Sequence, residues 1–171
     1  MGAGEIEAAV ADAGPLIHLT EIGCLSLLHI FQTLHISSAV WRETVGEGRV
    51  PATSILQLEK VEQHTLPDVS LARFIRENKL GGLHKGEQES LYLCRQIGVP
   101  LLLTDDLAVR ELAKRLDITP VGSLGIIVKA YHLGQITLEE AERHIAALYE
   151  VSTLYVTRTI VELAIEQLRH R

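Results

Sequence analysis

Aromatic residues are scarce in this chain: two Phe, one Trp and four Tyr among 171 residues. Single-strand-binding surfaces stack successive bases on aromatic rings, and this sequence supplies few. Cationic charge is also short. Sixteen Lys and Arg stand against 22 Asp and Glu, a net charge of −6. That excludes a broad basic face that grips nucleic acid by its phosphates. Cys24 and Cys94 are the only cysteines. They lie in separate helical apolar patterns without CxxC or zinc spacing, and read as small buried hydrophobes. No apolar run reaches the length of a membrane span. Met1-Gly2-Ala3-Gly4-Glu5 lacks the basic start of a signal peptide, so a cytoplasmic location is expected. Several reaction signatures are missing as well. There is no P-loop, no GxGxxG after the first strand, no HExxH or HxH, and no Gly-x-Ser-x-Gly. His18, His29 and His35 show no helical metal spacing and read as surface or core histidines.

What the chain has is apolar residues, 47% of the total, enough in this length for one domain with a full core. Pro100-Leu101-Leu102-Leu103 reads as a strand buried on both faces, as in a parallel sheet covered by helices. It stops at Thr104-Asp105-Asp106, and a helical pattern follows from Leu107. Ile6 to Asp12 is a similar short strand, closed by Asp12-Ala13-Gly14-Pro15. Thr33–Ser37 reads as a second strand with Ser38 as a helix cap. Leu58–His64 alternates like a half-exposed edge strand, and Ile118–Val121 is a short last strand. Helices are expected between these strands, with Ser70 capping one from Leu71, a loop over 80–86, and another helix from Glu87 to Ile97. Gly122-Ser123 caps a helix from Leu124, Thr137 and Glu140 form a capping box, and Thr157 caps a last helix. This alternation predicts an α/β fold, a parallel central sheet flanked by helices. The expected division is a domain over 1–136 and a helical extension over 137–171, packed on the domain or on a partner.

Carboxylates recur where strands end and helices begin. A turn-forming Asp explains Asp12 as well as a functional one does, and capping explains one of Asp105 and Asp106. Glu43 suits a solvated helix face. Glu87 shares a face with Leu91 and Cys94 and so points inward, although the helix dipole also favours an anion there. Glu89 falls on the far side and reads as solvated. A parallel sheet brings strand ends to one edge, so these acids would converge without Lys or Arg partners. Hard divalent cations, Mg²⁺ or Mn²⁺, relieve such repulsion and make an acidic cluster compatible with a polyanionic substrate.

Five stretches carry a resemblance: 12–19 (DAGPLIHL), 38–43 (SAVWRE), 84–91 (HKGEQESL), 102–106 (LLTDD) and 121–125 (VGSLG). In this order and spacing the chain resembles the PIN-domain family, and within it a PIN-like nucleic-acid-binding branch (DUF3368-like) related to VapC-type toxin ribonucleases. The resemblance covers about residues 6–134. It implies an α/β/α sandwich and a metal-dependent ribonuclease using Mg²⁺ or Mn²⁺. Asp12, Glu43, Glu87 and Asp106 match the catalytic acids. Asp12, Glu87 and Asp106 would hold an ion, with Asp105 either a further ligand or only a cap, and Thr104 would orient the site. Gly14 stands where the family often has Ser or Thr, which removes a hydroxyl near the metal. Arg42, Lys85 and Arg110 lie close to the acids in sequence and are candidates for RNA phosphates. The implied partners are RNA and an antitoxin protein. Apolar positions beyond Thr137 add the expectation of a homodimer. The rival reading is a non-catalytic interaction or RNA-binding module with a structural or silent cation site. A small-phosphoester hydrolase would need Asp-x-Asp after the first strand, which Asp12-Ala13-Gly14 lacks.

Overall fold

The structure is a computed structural model and describes residues 6–170. Five strands form one sheet: Ile6–Ala11 (β1), Phe31–Ser37 (β2), Val61–His64 (β3), Leu101–Leu103 (β4) and Thr119–Val121 (β5). Every pairing is parallel, and the order is β3-β2-β1-β4-β5. The chain therefore winds outward from β1 to one side, then returns to β1 and winds to the other. The gap between the ends of β1 and β4 is the topological switch point, where crossovers leave on opposite faces and open a crevice.

Alternation along the strands sends side chains into two cores. Ala9, Ala11, Leu34, Ile36 and Leu103 face one, closed by Ala13–Glu21 (α1), the short Ala52–Leu56 (α3), Ser123–His132 (α7), Leu138–Glu150 (α8) and Arg158–Arg169 (α9). Val10 and Leu102 face the other, closed by Asp68–Glu77 (α4), Lys85–Ile97 (α5) and Leu107–Arg115 (α6). The α/β/α arrangement follows from this two-sided apolar sheet. Ala141, Ile145, Leu148, Val161, Ala164 and Leu168 are buried in the first core, so the C-terminal helices share the core of the sheet. Ile160 and Leu163 of α9 stay about half exposed. No helix among the described residues is long and apolar enough to cross a membrane.

The central strand ends at Leu103 as the leucine run predicts; the Thr104 amide makes a last bond to the Val121 carbonyl of β5 at 2.9 Å, and Asp106 then caps α6. Other local expectations shift. Ser37, not Ser38, caps Ser38–Trp41 (α2): its hydroxyl accepts from the Val40 amide at 3.2 Å. Helix α4 starts at Asp68 behind Pro67, with Asp68 in the first turn where the dipole favours an acid; Ser70 lies inside it. Lys85 and Gly86 belong to α5 rather than to the preceding loop. Thr137 and Thr157 cap α8 and α9 as their patterns predict.

Glu89 is the clearest reversal. It is buried, and its carboxylate accepts a 2.8 Å bond from the Ala39 amide at the start of α2. Helix α5 is covered by the sheet on one side and by α2 on another, so a position far from Glu87 is still interior. The buried acid satisfies one of the unpaired N–H groups that open a short helix.

Candidate active site

Asp12 follows β1 and caps α1. Its Oδ1 accepts from the Ala13 amide at 2.8 Å, and its Oδ2 accepts from the Thr104 hydroxyl at 3.1 Å. The Asp12 amide is fixed by the Leu103 carbonyl at 2.9 Å. The ends of β1 and β4 are thus tied across the switch point by one side-chain and one backbone bond. Asp106 caps α6 through Oδ1, which accepts from the Val109 amide at 2.9 Å. Both residues are helix caps, and carboxylates of the cleft as well.

Glu43 arrives by a different route. Helix α2 passes into one wide π turn over Arg42–Gly46. Such turns insert an extra residue and re-aim the side chains that follow, often at functional sites. The Glu43 Oε1 accepts from the Gly86 amide at 3.1 Å. Glu87, in the first turn of α5, accepts from the His84 amide through Oε2 at 2.9 Å. Asp12, Glu43, Glu87 and Asp106 line one open cleft of about 750 Å³ with Gly14, His18, His84, Lys85 and Asp105.

Electrostatics show that the four acids sense one another. Asp12 is raised to about 7: burial pushes it up most, the charges of Glu87 and Glu43 add to this, and the Ala13 amide and Thr104 hydroxyl pull it partly back. Glu87 is raised by burial first and then by the charges of Asp106 and Glu43, while the His84 amide and the His84 ring beside it pull it down. Among the described residues none of the four acids forms an ion pair with Lys, Arg or His. The donors are all oxygen, as hard divalent cations require. Among the described residues no three of the four acids bring oxygens within 4.8 Å of one another, a spacing that suits Mg²⁺, which keeps several of its waters. The residues present fit such an ion.

Asp105 stands apart. Its Oδ1 accepts from the Ser123 amide at 2.7 Å, and its Oδ2 accepts from the Ser123 hydroxyl at 2.6 Å and meets His18 Nδ1 at 2.7 Å. Both oxygens are engaged in holding α7 and α1 to the strand end. Gly122 makes room for this: a Cβ there would lie 2.8 Å from the Asp105 Oδ1. A Cβ at Gly14 would meet Asp105 only at 3.4 Å, an ordinary contact.

Of the three basic candidates, Lys85 lines the cleft and Arg42 is exposed outside its lining. Arg110 donates to the Thr104 carbonyl at 3.3 Å and lines an adjoining groove with Asp105 and Gly122. Sequence reasoning missed His18 and Gly86, for which only the resemblance stretches gave a signal. It also missed Thr153–Tyr155, which form part of the cleft wall. That segment is anchored by Glu21, whose Oε1 accepts from the Thr153 amide and hydroxyl at 3.0 and 2.8 Å. Tyr155 is 93% exposed at this wall.

A second polar cluster lies at the sheet edge. His35, Glu62 and His64 each offer a ligand atom within 4.8 Å of the others, alone in doing so among the described residues. The expectation that His35 is an ordinary core or surface histidine did not include this grouping.

The fold is a doubly wound parallel sheet with an acid-lined cleft at its switch point. The DUF3368 family, a PIN domain, matches residues 8–170, and the chain belongs to it, which makes its fold of the nuclease type. No curated protein matches the sequence.

Proposed function

We propose that this protein is a divalent-metal-dependent ribonuclease that hydrolyses RNA phosphodiesters, and that it is the toxin of a toxin–antitoxin pair. The observation that carries the reading is the convergence of Asp12, Glu43, Glu87 and Asp106 from four different elements, none of them in an ion pair among the described residues. Four acids in one cleft destabilise each other unless a cation is there. Family membership gives the reaction class its direction.

Asp12, Glu87 and Asp106 would hold Mg²⁺ or Mn²⁺, with Glu43 completing the acid ring. Such an ion supplies a water of lowered pKa and offsets charge on the departing oxygen. The chain's own residues do the positioning. Thr104 fixes the rotamer of Asp12 by donating to one oxygen, and the Gly86 amide fixes Glu43 in the same way. Each bonded carboxylate oxygen keeps a second lone pair for the cleft. Asp105 is placed here as a bracket, because three donors already occupy it. Lys85 meets the RNA backbone at the cleft mouth, and Tyr155 offers an aromatic face to one base. The half-exposed Ile160 and Leu163 of α9 are the surface for an antitoxin or a second copy. Sedimentation at micromolar concentration as a monomer would remove the homodimer.

The test is cleavage of a panel of labelled RNAs with Mg²⁺, with Mn²⁺ and with chelator. The proposal expects metal-dependent cleavage that Asp12→Asn/Asp106→Asn abolishes. Cleavage that survives in that variant would place the chemistry elsewhere.

A further inference from the structure

The triad at the sheet edge lies outside the acid cleft and none of its members lines that cleft. Its geometry follows from strand register. In the β2–β3 pairing His35 stands beside Glu62 and Ser37 beside His64. Parallel neighbours point the same way, and residues two apart share a face. His35, Glu62 and His64 therefore project together from one side of the β2–β3 edge.

His35 Nδ1 lies 2.9 Å from His64 Nε2, while Glu62 Oε2 lies 3.5 Å from the first and 3.8 Å from the second. A ring-to-ring hydrogen bond accounts for the shortest side of this triangle. The carboxylate stands at ion-pair distance from both rings, too far for a hydrogen bond to either, and so faces the two nitrogens together. A tetrahedral ion with ligand bonds near 2.0–2.1 Å sets its donors about 3.3 Å apart. The three sides bracket that value and need movements of only a few tenths of an ångström: the exposed Glu62 side chain closes two of them, and a small turn of the His64 ring opens the third. We infer that His35, Glu62 and His64 form a second cation site, distinct from the acid cleft, for a first-row transition ion of the Zn²⁺ class that clamps edge strand β3 to β2. Two imidazoles and one carboxylate select such an ion over Mg²⁺, which takes oxygen donors in an octahedron. Three protein ligands leave the fourth position to water.

The clamp also has something to hold. β3 has four residues and is one of the two outer strands, and an edge strand presents unpaired backbone groups to solvent. The His64 carbonyl accepts from the Ser38 hydroxyl at 3.0 Å, so the same corner fixes the start of α2, which leads to Glu43.

Zinc binding is measured by calorimetry on the full chain in the Asp12→Asn/Asp106→Asn background, which removes the acid cleft as a competitor. Co²⁺ absorption serves as a geometric probe. The inference expects one Zn²⁺ per chain, a four-coordinate Co²⁺ spectrum, and a rise in Tm on adding Zn²⁺. His64→Ala should weaken binding by at least the ~10–100-fold that follows loss of a mere outer-shell partner, and cancel the Tm rise. Glu62→Gln, on an exposed side chain, should also weaken it and decides the matter if circular dichroism shows His64→Ala unfolded. No zinc bound by the folded background protein, or binding unchanged by the substitutions, overturns the inference. Because the acid cleft is disabled throughout, either result stands apart from the ribonuclease proposal.

Discussion

The Glu43 carboxylate rests directly on Gly86. The Gly86 amide donates to Oε1 at 3.1 Å, and a Cβ at that position would lie 2.7 Å from both carboxylate oxygens. Glycine leaves the two carboxylate oxygens their place, because any Cβ would push them aside. Gly86→Ala normally gains up to ~1 kcal/mol in a helix. Here the flexible Glu43 side chain has to swing aside and give up its bond to the Gly86 amide, which should offset that gain by roughly 0.5–1.5 kcal/mol and lower RNA cleavage at least tenfold by moving Glu43. In a Glu43→Ala background the same Gly86→Ala change should become neutral or stabilising. A denaturant-melt cycle over the four proteins reads this coupling, and equal effects in both backgrounds would refute it.

Thr104 and Asp12 form the second pairing. Thr104→Val keeps the shape and removes the hydroxyl that donates to Asp12 Oδ2. A buried acceptor left without its donor costs about 1–3 kcal/mol. It also removes an influence that lowers Asp12, so Mn²⁺ binding should require higher pH than in the parent protein. An unchanged pH profile of Mn²⁺ affinity would count against a role for Thr104 in the site.

Asp12 itself predicts a pH dependence with a definite sign. In the folded chain it keeps its proton to about 7, against an ordinary value of 3.8. Between those values the folded state binds more protons than the unfolded state, so metal-free stability falls as pH rises through the window. Glu87 shifts in the same direction. The loss is on the order of a few kcal/mol by pH 8. Thermal melts in chelator should therefore give a lower Tm at pH 8 than at pH 5. Asp12→Asn should flatten the slope, and Mn²⁺ should restore the Tm at pH 8. A slope identical in Asp12→Asn would show that other groups set it.

Asp105 and Asp106 are neighbours with separable duties. Asp105→Ala strips partners from His18 and Ser123 and should destabilise the fold by about 1–3 kcal/mol, with divalent affinity nearly kept. Asp106→Asn should do the reverse, keeping the cap and losing affinity. Calorimetry beside chemical denaturation separates them, and a larger affinity loss for Asp105→Ala would exchange the two roles.

These pairings also show what a sequence can carry. Strand ends such as Ala11-Asp12 and Leu103-Thr104 are legible because an apolar run stopping at a carboxylate has few other uses. The caps at Thr137 and Thr157 follow local hydrogen-bonding chemistry and are read from a few neighbouring residues. Glu89 was not legible, since helical spacing reports which face a residue occupies but not how many faces are covered. The π turn that aims Glu43 has no spacing of its own to betray it. The grouping of His35 with Glu62 and His64 depends on the register between parallel strands about 29 residues apart, which hydrophobic pattern alone does not specify. Thr153–Tyr155 reach the cleft only because α8 and α9 fold back onto the core, a tertiary fact invisible in a segment without motifs.

Asp12, Glu43, Glu87 and Asp106 together should bind a hard divalent cation. Electron paramagnetic resonance of free Mn²⁺ during titration into the full chain measures that directly. Binding should be saturable near neutral pH, competed by Mg²⁺ and lost in Asp12→Asn/Asp106→Asn while that variant remains folded. Binding of the same affinity in the variant, or no binding by the parent protein, would rule out the four acids as the ion's site.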